Sequence, residues 1–354
     1  MLKENYHIVG VMSGTSLDGI DLAEINFIKK DTWQFQILNS TTVSYSEDWL
    51  RKLKNLTQQS TKDLQQIDVD YTNYLAEVIS TFIKKNNINH LDAVCSHGHT
   101  ALHQPEQKLT YQIGNLPVLA EQLKQTVVCD FRIQDVKFGG QGAPLVPIGD
   151  QLLFSEYDYC INLGGFANVS TLINKQRIAF DICPVNIVLN KYVQQLGFDY
   201  DDKGYLASQG KINQQLLEQL NALNFYKKSY PKSLGLEWVE QQIFPLINNY
   251  KLEVKDILHT MIHHVAKQIA KVINQKDNAS VLLTGGGTYN DFLVERIKAL
   301  TNAKIVIPSA ELIEFKEALI FGFLGVLKIR EENNCLASVT GASKDHSSGK
   351  IYKF

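Results

Sequence analysis

The stretch Gly10-Val-Met-Ser-Gly-Thr-Ser-Leu-Asp-Gly-Ile-Asp21 decides the fold, because it sets glycines, hydroxyls and two carboxylates in a bend between two strand-like segments. Residues 6–12 are β-branched and apolar, and residues 21–27 alternate polar with apolar, so the pattern predicts an antiparallel hairpin. Gly14 and Gly19 can take positive φ and bring backbone N–H groups up to an anion. Ser13, Thr15 and Ser16 can donate to phosphate oxygens, and Asp18 or Asp21 can hold a hydrated Mg²⁺ without ligating it directly. Together with Leu17 and Ile20 these residues form a candidate phosphate loop. An ordinary Asx-type turn would use the same residue types.

A second copy of the pattern lies at mid-chain. Tyr159-Cys-Ile-Asn-Leu-Gly164-Gly165-Phe-Ala-Asn168-Val-Ser-Thr-Leu-Ile173 reads as strand, glycine turn and strand, and Arg177-Ile-Ala-Phe-Asp181 follows as a third strand ending on a carboxylate. The chain is therefore expected to be internally duplicated. A third cluster, Gly285-Gly286-Gly287, ends the apolar run 281–284 and opens a helical stretch over 291–300, which suits a nucleotide. Neither a Gly-x-x-x-x-Gly-Lys-Ser/Thr loop nor a Gly-x-Gly-x-x-Gly loop occurs, so P-loop and dinucleotide folds are not supported.

With 354 residues the chain has room for two domains. A hydrophobic share of 44% and a net charge of −2 give no electrostatic case for nucleic acid or a membrane surface. The start lacks a signal-peptide pattern and no apolar run reaches spanning length, so a cytoplasmic location is expected. Five scattered cysteines without a Cys-x-x-Cys pair argue against a disulfide framework or a structural zinc site. Residues 61–85 carry apolar side chains at helical spacing, and strands alternate with helices thereafter, which predicts α/β layers. The glycine- and proline-bearing 131–147 segment is the expected crossing point between domains 1–130 plus 337–354 and 131–336.

Eight motifs occur in order from end to end: the opening run, His97-Gly98 with Thr100, Gln112-Ile-Gly114, Asp130-Phe-Arg132 with Asp135, Gly139-Gly-Gln-Gly-Ala-Pro-Leu-Val-Pro147, Asn162-Leu-Gly-Gly-Phe-Ala-Asn168, the Gly285 cluster and Ser338-Val-Thr-Gly-Ala-Ser343. In these the chain resembles anhydro-N-acetylmuramic acid kinases, a group within the actin, hexokinase and Hsp70 ATPases. The resemblance implies a two-domain actin-like ATPase: duplicated ribonuclease H-like domains, mixed sheets flanked by helices, and an interdomain cleft. It implies ATP and Mg²⁺ as cofactors, and conversion of 1,6-anhydro-N-acetylmuramic acid plus water to the 6-phosphate of N-acetylmuramic acid in peptidoglycan recycling. The partner implied is that sugar, with a homodimer left open.

By resemblance Asp181 is the base that activates water, and His97, Arg132 and Glu317 contact the sugar. Each has a plainer alternative. Asp181 could cap the following helix, Arg132 could pair with Asp130 or Asp135, and Glu317 could lie on a solvated helix face beside Lys316. His97, His99 and His103 form at most a weak metal pattern, and His259 and His263 read as structural. The family's Asp-Thr-Gly-Pro-Gly-Asn appears here as Asp181-Ile-Cys-Pro-Val-Asn186, where Val185 cannot easily replace a glycine of positive φ. In Lys232-Ser-Leu-Gly-Leu-Glu237, Leu234 and Leu236 replace the usual polar residues. These departures leave open a kinase for a related sugar, or a nucleotide-binding protein without catalysis.

Overall fold

In the computed structural model, which describes residues 3–354, the opening run does form a hairpin. β1 (Asn5–Ser13) and β2 (Ile20–Lys29) pair antiparallel, with Ser13 opposite Ile20. β3 (Trp33–Val43) adds antiparallel to β2. β4 (Ala93–Gln104) then runs parallel to β1, and β6 (Val127–Cys129) parallel to β4. β5 (Leu109–Ile113) pairs with β4, and β12 (Lys350–Tyr352) closes the far edge on β6.

The second half repeats this order strand for strand. β7 (Tyr159–Leu163), β8 (Phe166–Ile173) and β9 (Gln176–Pro184) form the antiparallel three, while β10 (Ser280–Thr284) and β11 (Lys304–Val306) follow in parallel. The orders β3-β2-β1-β4-β6 and β9-β8-β7-β10-β11 match in sequence and direction, which is the expected ribonuclease H-like duplication.

Each sheet builds its own core. In the first, Val9, Val11, Ile20 and Leu22 pack with Leu75, Ile79 and Phe82 of the Thr61–Lys85 helix. In the second, Ile161, Val169 and Leu283 pack with Met261, Val265 and Ile269 of the Val254–Ile273 helix. Burial of such apolar stripes is the main stabilising term in both.

The chain divides after Leu153 and again before Phe315; the first unit runs to Leu153 and resumes over Phe315–Phe354, and the second is Phe154–Glu314. This corrects the expected boundaries at 130/131 and 336/337. The cause is packing: Phe131 and Phe321 rings meet at 5.7 Å, and Asp150 forms an ion pair of 2.8 Å with Lys316, both buried. The 131–153 segment and most of the Ala310–Ile329 helix therefore belong to the first unit.

That helix also crosses β1 so closely that a Cβ on Gly10 would stand 2.1 Å from the Ala318 carbonyl oxygen. Backbone cannot yield as a flexible side chain does, so Gly10→Ala is expected to destabilise the protein by about 2 kcal/mol. A urea midpoint equal to that of the parent protein, with unchanged slope, would contradict this packing.

Candidate active site

The bend after β1 is tightened by a Leu17 N–H donating to the Gly14 carbonyl at 3.3 Å. Thr15, Ser16 and Asp18 are exposed at its tip, whereas Ser13, Gly19 and Ile20 are buried. Positive φ falls on Leu17 (65°) and Gly19 (154°), and Gly14 does not adopt it. A left-handed leucine is uncommon and marks a bend held by its surroundings. Asp21 is half-buried and accepts a 2.6 Å hydrogen bond from Thr42.

Ser13 departs from its expected role, because its hydroxyl is committed inward. Its Oγ lies 2.6 Å from the Tyr45 hydroxyl and 2.8 Å from His99 Nδ1, and accepts from the Tyr71 hydroxyl at 2.8 Å. Burial pushes both tyrosines up and lowers His99 to about 4, so the network is neutral near pH 7. It stiffens the base of the bend. Nothing in linear spacing joins residues 13, 45, 71 and 99.

In the same unit His97 and Arg132 form a coupled pair. His97 Nδ1 faces the Gly98 carbonyl at 2.8 Å and so carries the ring proton, leaving Nε2 to accept from Arg132 Nε at 2.9 Å. Burial, then the Arg132 charge, holds His97 well below its ordinary value. Both ring nitrogens of His97 are thus engaged within the protein, one of them on Arg132. Arg132 also donates from Nη1 to the Gly142 carbonyl at 2.6 Å and lies 5.8 Å from the Phe321 ring centroid. These contacts leave the Nη2 edge of its fork outside them. Arg132 does not take the carboxylates of its plainer alternative: Asp130 pairs with Lys350, and Asp135 accepts from Thr340 and the Gly142 N–H.

Glu317 is exposed, as the helix-face alternative has it, whereas its neighbour Lys316 is buried in an ion pair with Asp150. Desolvation raises the Glu317 carboxyl, with the Arg132 charge opposing. His99 bonds to Ser13 and His103 to Thr110, so the three histidines of this strand do not converge on a metal.

In the second unit the other two glycine clusters come together. β10 runs parallel to β7 with Thr284 beside Asn162, which sets Gly285 against the Gly164–Gly165 bend. Gly285 has φ 85°, and a Cβ there would meet Asn162 Oδ1 at 2.5 Å and the Leu163 carbonyl oxygen at 2.8 Å. Gly286 is exposed with no neighbouring atom within 4 Å of a Cβ. A short 3₁₀ turn, Gly286–Tyr289, separates this bend from the Asp291–Lys298 helix, whose N-terminus Asn290 caps through the Leu293 N–H. The expected direct strand-to-helix passage is thus longer by one turn.

Asp181 lies inside β9 and not at its end, opposite Asn168 across a bulge at Ala167/Asn168. The helix that follows starts at Asn186 with Val185 in the cap position, so the capping role is excluded. Its Oδ2 accepts from the Leu234 N–H at 2.7 Å, and its own N–H donates to the Lys232 carbonyl at 3.1 Å. Burial raises its pKa, opposed by the Leu234 N–H.

Four of the five departures around it turn inward, while Leu236 is exposed. Ile182, Cys183 and Val185 are at most 2% exposed and join the core, and Val185 has φ −128°, so no left-handed residue is needed there. Leu234 also packs on that core while its backbone holds Asp181.

A family model described as anhydro-N-acetylmuramic acid kinase matches residues 6–354. The chain belongs to that family. Relatives named anhydro-N-acetylmuramic acid kinase include one from Mannheimia succiniciproducens, 33% identical over 99% of this chain and 100% of its own length. One from Sulfurimonas denitrificans is 31% identical over 98% and 99%, and one from Coxiella burnetii 32% over 99% and 98%. Membership of the anhydro-N-acetylmuramic acid kinase family makes the chain one of a group of sugar kinases. Among the described residues no helix is long and apolar enough to cross a membrane.

Proposed function

We propose that this chain uses ATP and water to convert 1,6-anhydro-N-acetylmuramic acid to N-acetylmuramic acid 6-phosphate, in peptidoglycan recycling. The observation that carries the reading is Asp181: a half-buried carboxylate of raised basicity, pinned through one oxygen by a backbone N–H.

The chemistry asks for two things. Phosphoryl transfer needs held phosphates more than covalent help, and opening the anhydro bridge needs a base. Asp181 takes a proton from water as the water oxygen bonds to the anomeric carbon. The bond from that carbon to the bridging oxygen breaks, and this oxygen takes the γ-phosphoryl group of ATP, leaving ADP. Pinning Oδ2 fixes the carboxylate plane, which orients the lone pairs of Oδ1. Arg132, held by His97, presents its fork to the lactyl carboxylate or a ring hydroxyl of the sugar, and Glu317 accepts from a hydroxyl.

For ATP, the exposed backbone at Gly165 and Gly286 and the bend at Thr15, Ser16 and Asp18 offer donors without side-chain obstruction. Gly14 is proposed to add to the donors of the first unit, and Gly164, Gly285, Gly287 and Asn168 to those of the second. Asp18 and Asp21 are the carboxylates fitted to the hydration shell of a Mg²⁺ ion, which when bound offsets phosphate charge. Dependence on ATP argues for a cytoplasmic location.

The inward-facing Ile182, Cys183 and Val185 support the family's own sugar over a different one. The test is ADP release from ATP with 1,6-anhydro-N-acetylmuramic acid, run in H₂¹⁸O. The label is expected on the anomeric hydroxyl of the product and not in its phosphate. Tight ATP binding without sugar-dependent ADP release would support a non-catalytic protein, and label in the phosphate would exclude attack by water at carbon.

A further inference from the structure

The first unit also buries three donors that the proposed reaction does not use: Asp135, Cys335 and His346, at 0%, 1% and 5% exposure. Asp135 belongs to the Ile133–Lys137 helix. Cys335 and His346 sit on segments joined by an isolated antiparallel bridge, each N–H donating to the other's carbonyl at 3.1 and 3.2 Å. A carboxylate oxygen, the Sγ and an imidazole nitrogen lie within 4.8 Å of one another.

The orientation of His346 points to a cation. Its Nδ1 lies 3.1 Å from the Lys344 carbonyl oxygen, which can only accept, so Nδ1 carries the ring proton. In the neutral ring Nε2 then bears a lone pair. That atom is buried without a hydrogen-bond partner and faces Asp135 Oδ1 at 3.6 Å. Two buried acceptors turned toward each other repel unless positive charge lies between them.

Neither group is free to turn away. An edge-on contact with Phe138, centroids 4.9 Å apart, holds the imidazole, and Thr340 Oγ1 and the Gly142 N–H, both at 2.7 Å, hold the carboxylate.

We propose that Asp135, Cys335 and His346 bind a thiophilic divalent transition metal of the Zn²⁺ class. A carboxylate, a thiolate and a neutral imidazole carry two negative charges, which such an ion neutralises. Zn²⁺ bonds of about 2.0–2.3 Å need donors roughly 3.3–3.8 Å apart, so the observed spread closes by about an ångström. On binding, the Cys335 S–H bond breaks, a sulfur–metal bond forms and the proton passes to solvent, with no redox change. The ion fastens the C-terminal segment to the helix that anchors the 139–142 bend. No Cys-x-x-Cys pair announces such a site, because the fold assembles it from residues up to 211 positions apart, from 135 to 346.

The full chain, stripped with chelator, is titrated with Co²⁺ and then Zn²⁺. One Co²⁺ per chain is expected, with tetrahedral ligand-field bands and a thiolate-to-cobalt charge-transfer band, displaced by one Zn²⁺, and added Zn²⁺ raises Tm. Cys335→Ser removes the charge-transfer band, and His346→Ala weakens binding by at least about tenfold. Added Zn²⁺ should raise the Tm of the stripped parent protein but not that of stripped Cys335→Ser, a difference that the cost of the substitution itself does not produce. Should either fail to fold, the parent's spectrum and stoichiometry still decide. A spectrum without a thiolate band, substoichiometric uptake, or equal uptake by folded Cys335→Ser overturns the proposal and leaves an imidazolium at His346 paired with Asp135.

Discussion

Asp181→Asn is expected to cut sugar-dependent ADP release by a factor on the order of 10²–10⁴, the usual contribution of a positioned general base. That range corresponds to roughly 3–5 kcal/mol of barrier. The substitution isolates basicity, since an Asn oxygen can still accept from the Leu234 N–H and keep the 232–234 segment in place. ATP binding and Tm should therefore stay close to the parent values. The pH profile gives an independent reading. Burial raises the Asp181 pKa, so its protonated, inactive form persists above the ordinary carboxylate range of about 3.9. Parental kcat/KM should fall as pH drops through that raised pKa, and this acid limb should vanish in Asp181→Asn. Parental turnover in the variant, or an unchanged acid limb in its residual rate, would place the base elsewhere.

How far the sequence already carried the fold depends on the range of each signal. Both hairpins and the 25-residue helix were legible because their determinants are local: glycine bends flanked by period-2 strands, and apolar spacing of 3.6. The duplication was legible for the same reason, since each copy repeats its hairpin in linear order. The domain boundary was not. A glycine- and proline-rich stretch resembles a linker, but Phe131, Asp150 and the Gly149 backbone are claimed by the Ala310–Ile329 helix, a partner more than 150 residues away.

At the candidate site Asp181, Arg132 and Glu317 are singled out by the family resemblance, while their surroundings come only from the fold. Leu234 is instructive. Read as a letter it is a lost polar contact, yet the atom that holds Asp181 is a backbone N–H that any residue except proline supplies. Val185 makes the converse point, since the need for glycine depends on φ, which a single sequence does not display. His97 shows a third limit. Its motif position says nothing of its partners, and only the tautomer fixed by Gly98 shows that its Nε2 accepts from Arg132.

Arg132→Ala is expected to raise KM for the anhydro sugar by about 10–100-fold, the cost of losing a charge-assisted contact worth about 1.5–3 kcal/mol. Arg132→Lys should recover little of this. An ammonium on a flexible stem cannot donate simultaneously to His97 Nε2 and the Gly142 carbonyl while presenting a fork to substrate. His97→Ala should give a smaller increase in KM, because the guanidinium keeps its Gly142 contact but loses its orienting acceptor. A substrate comparison separates recognition of the lactyl group from general disturbance. With 1,6-anhydro-N-acetylglucosamine, which lacks the lactyl carboxylate, the Arg132→Ala penalty should shrink to a few-fold if the fork reads that carboxylate. An equal penalty on both sugars would assign Arg132 to a ring hydroxyl, and parental KM in Arg132→Lys would show that charge alone suffices. The parent protein and Arg132→Ala, each with the two sugars, form a cycle whose coupling energy measures the contact directly, free of whatever each change costs by itself.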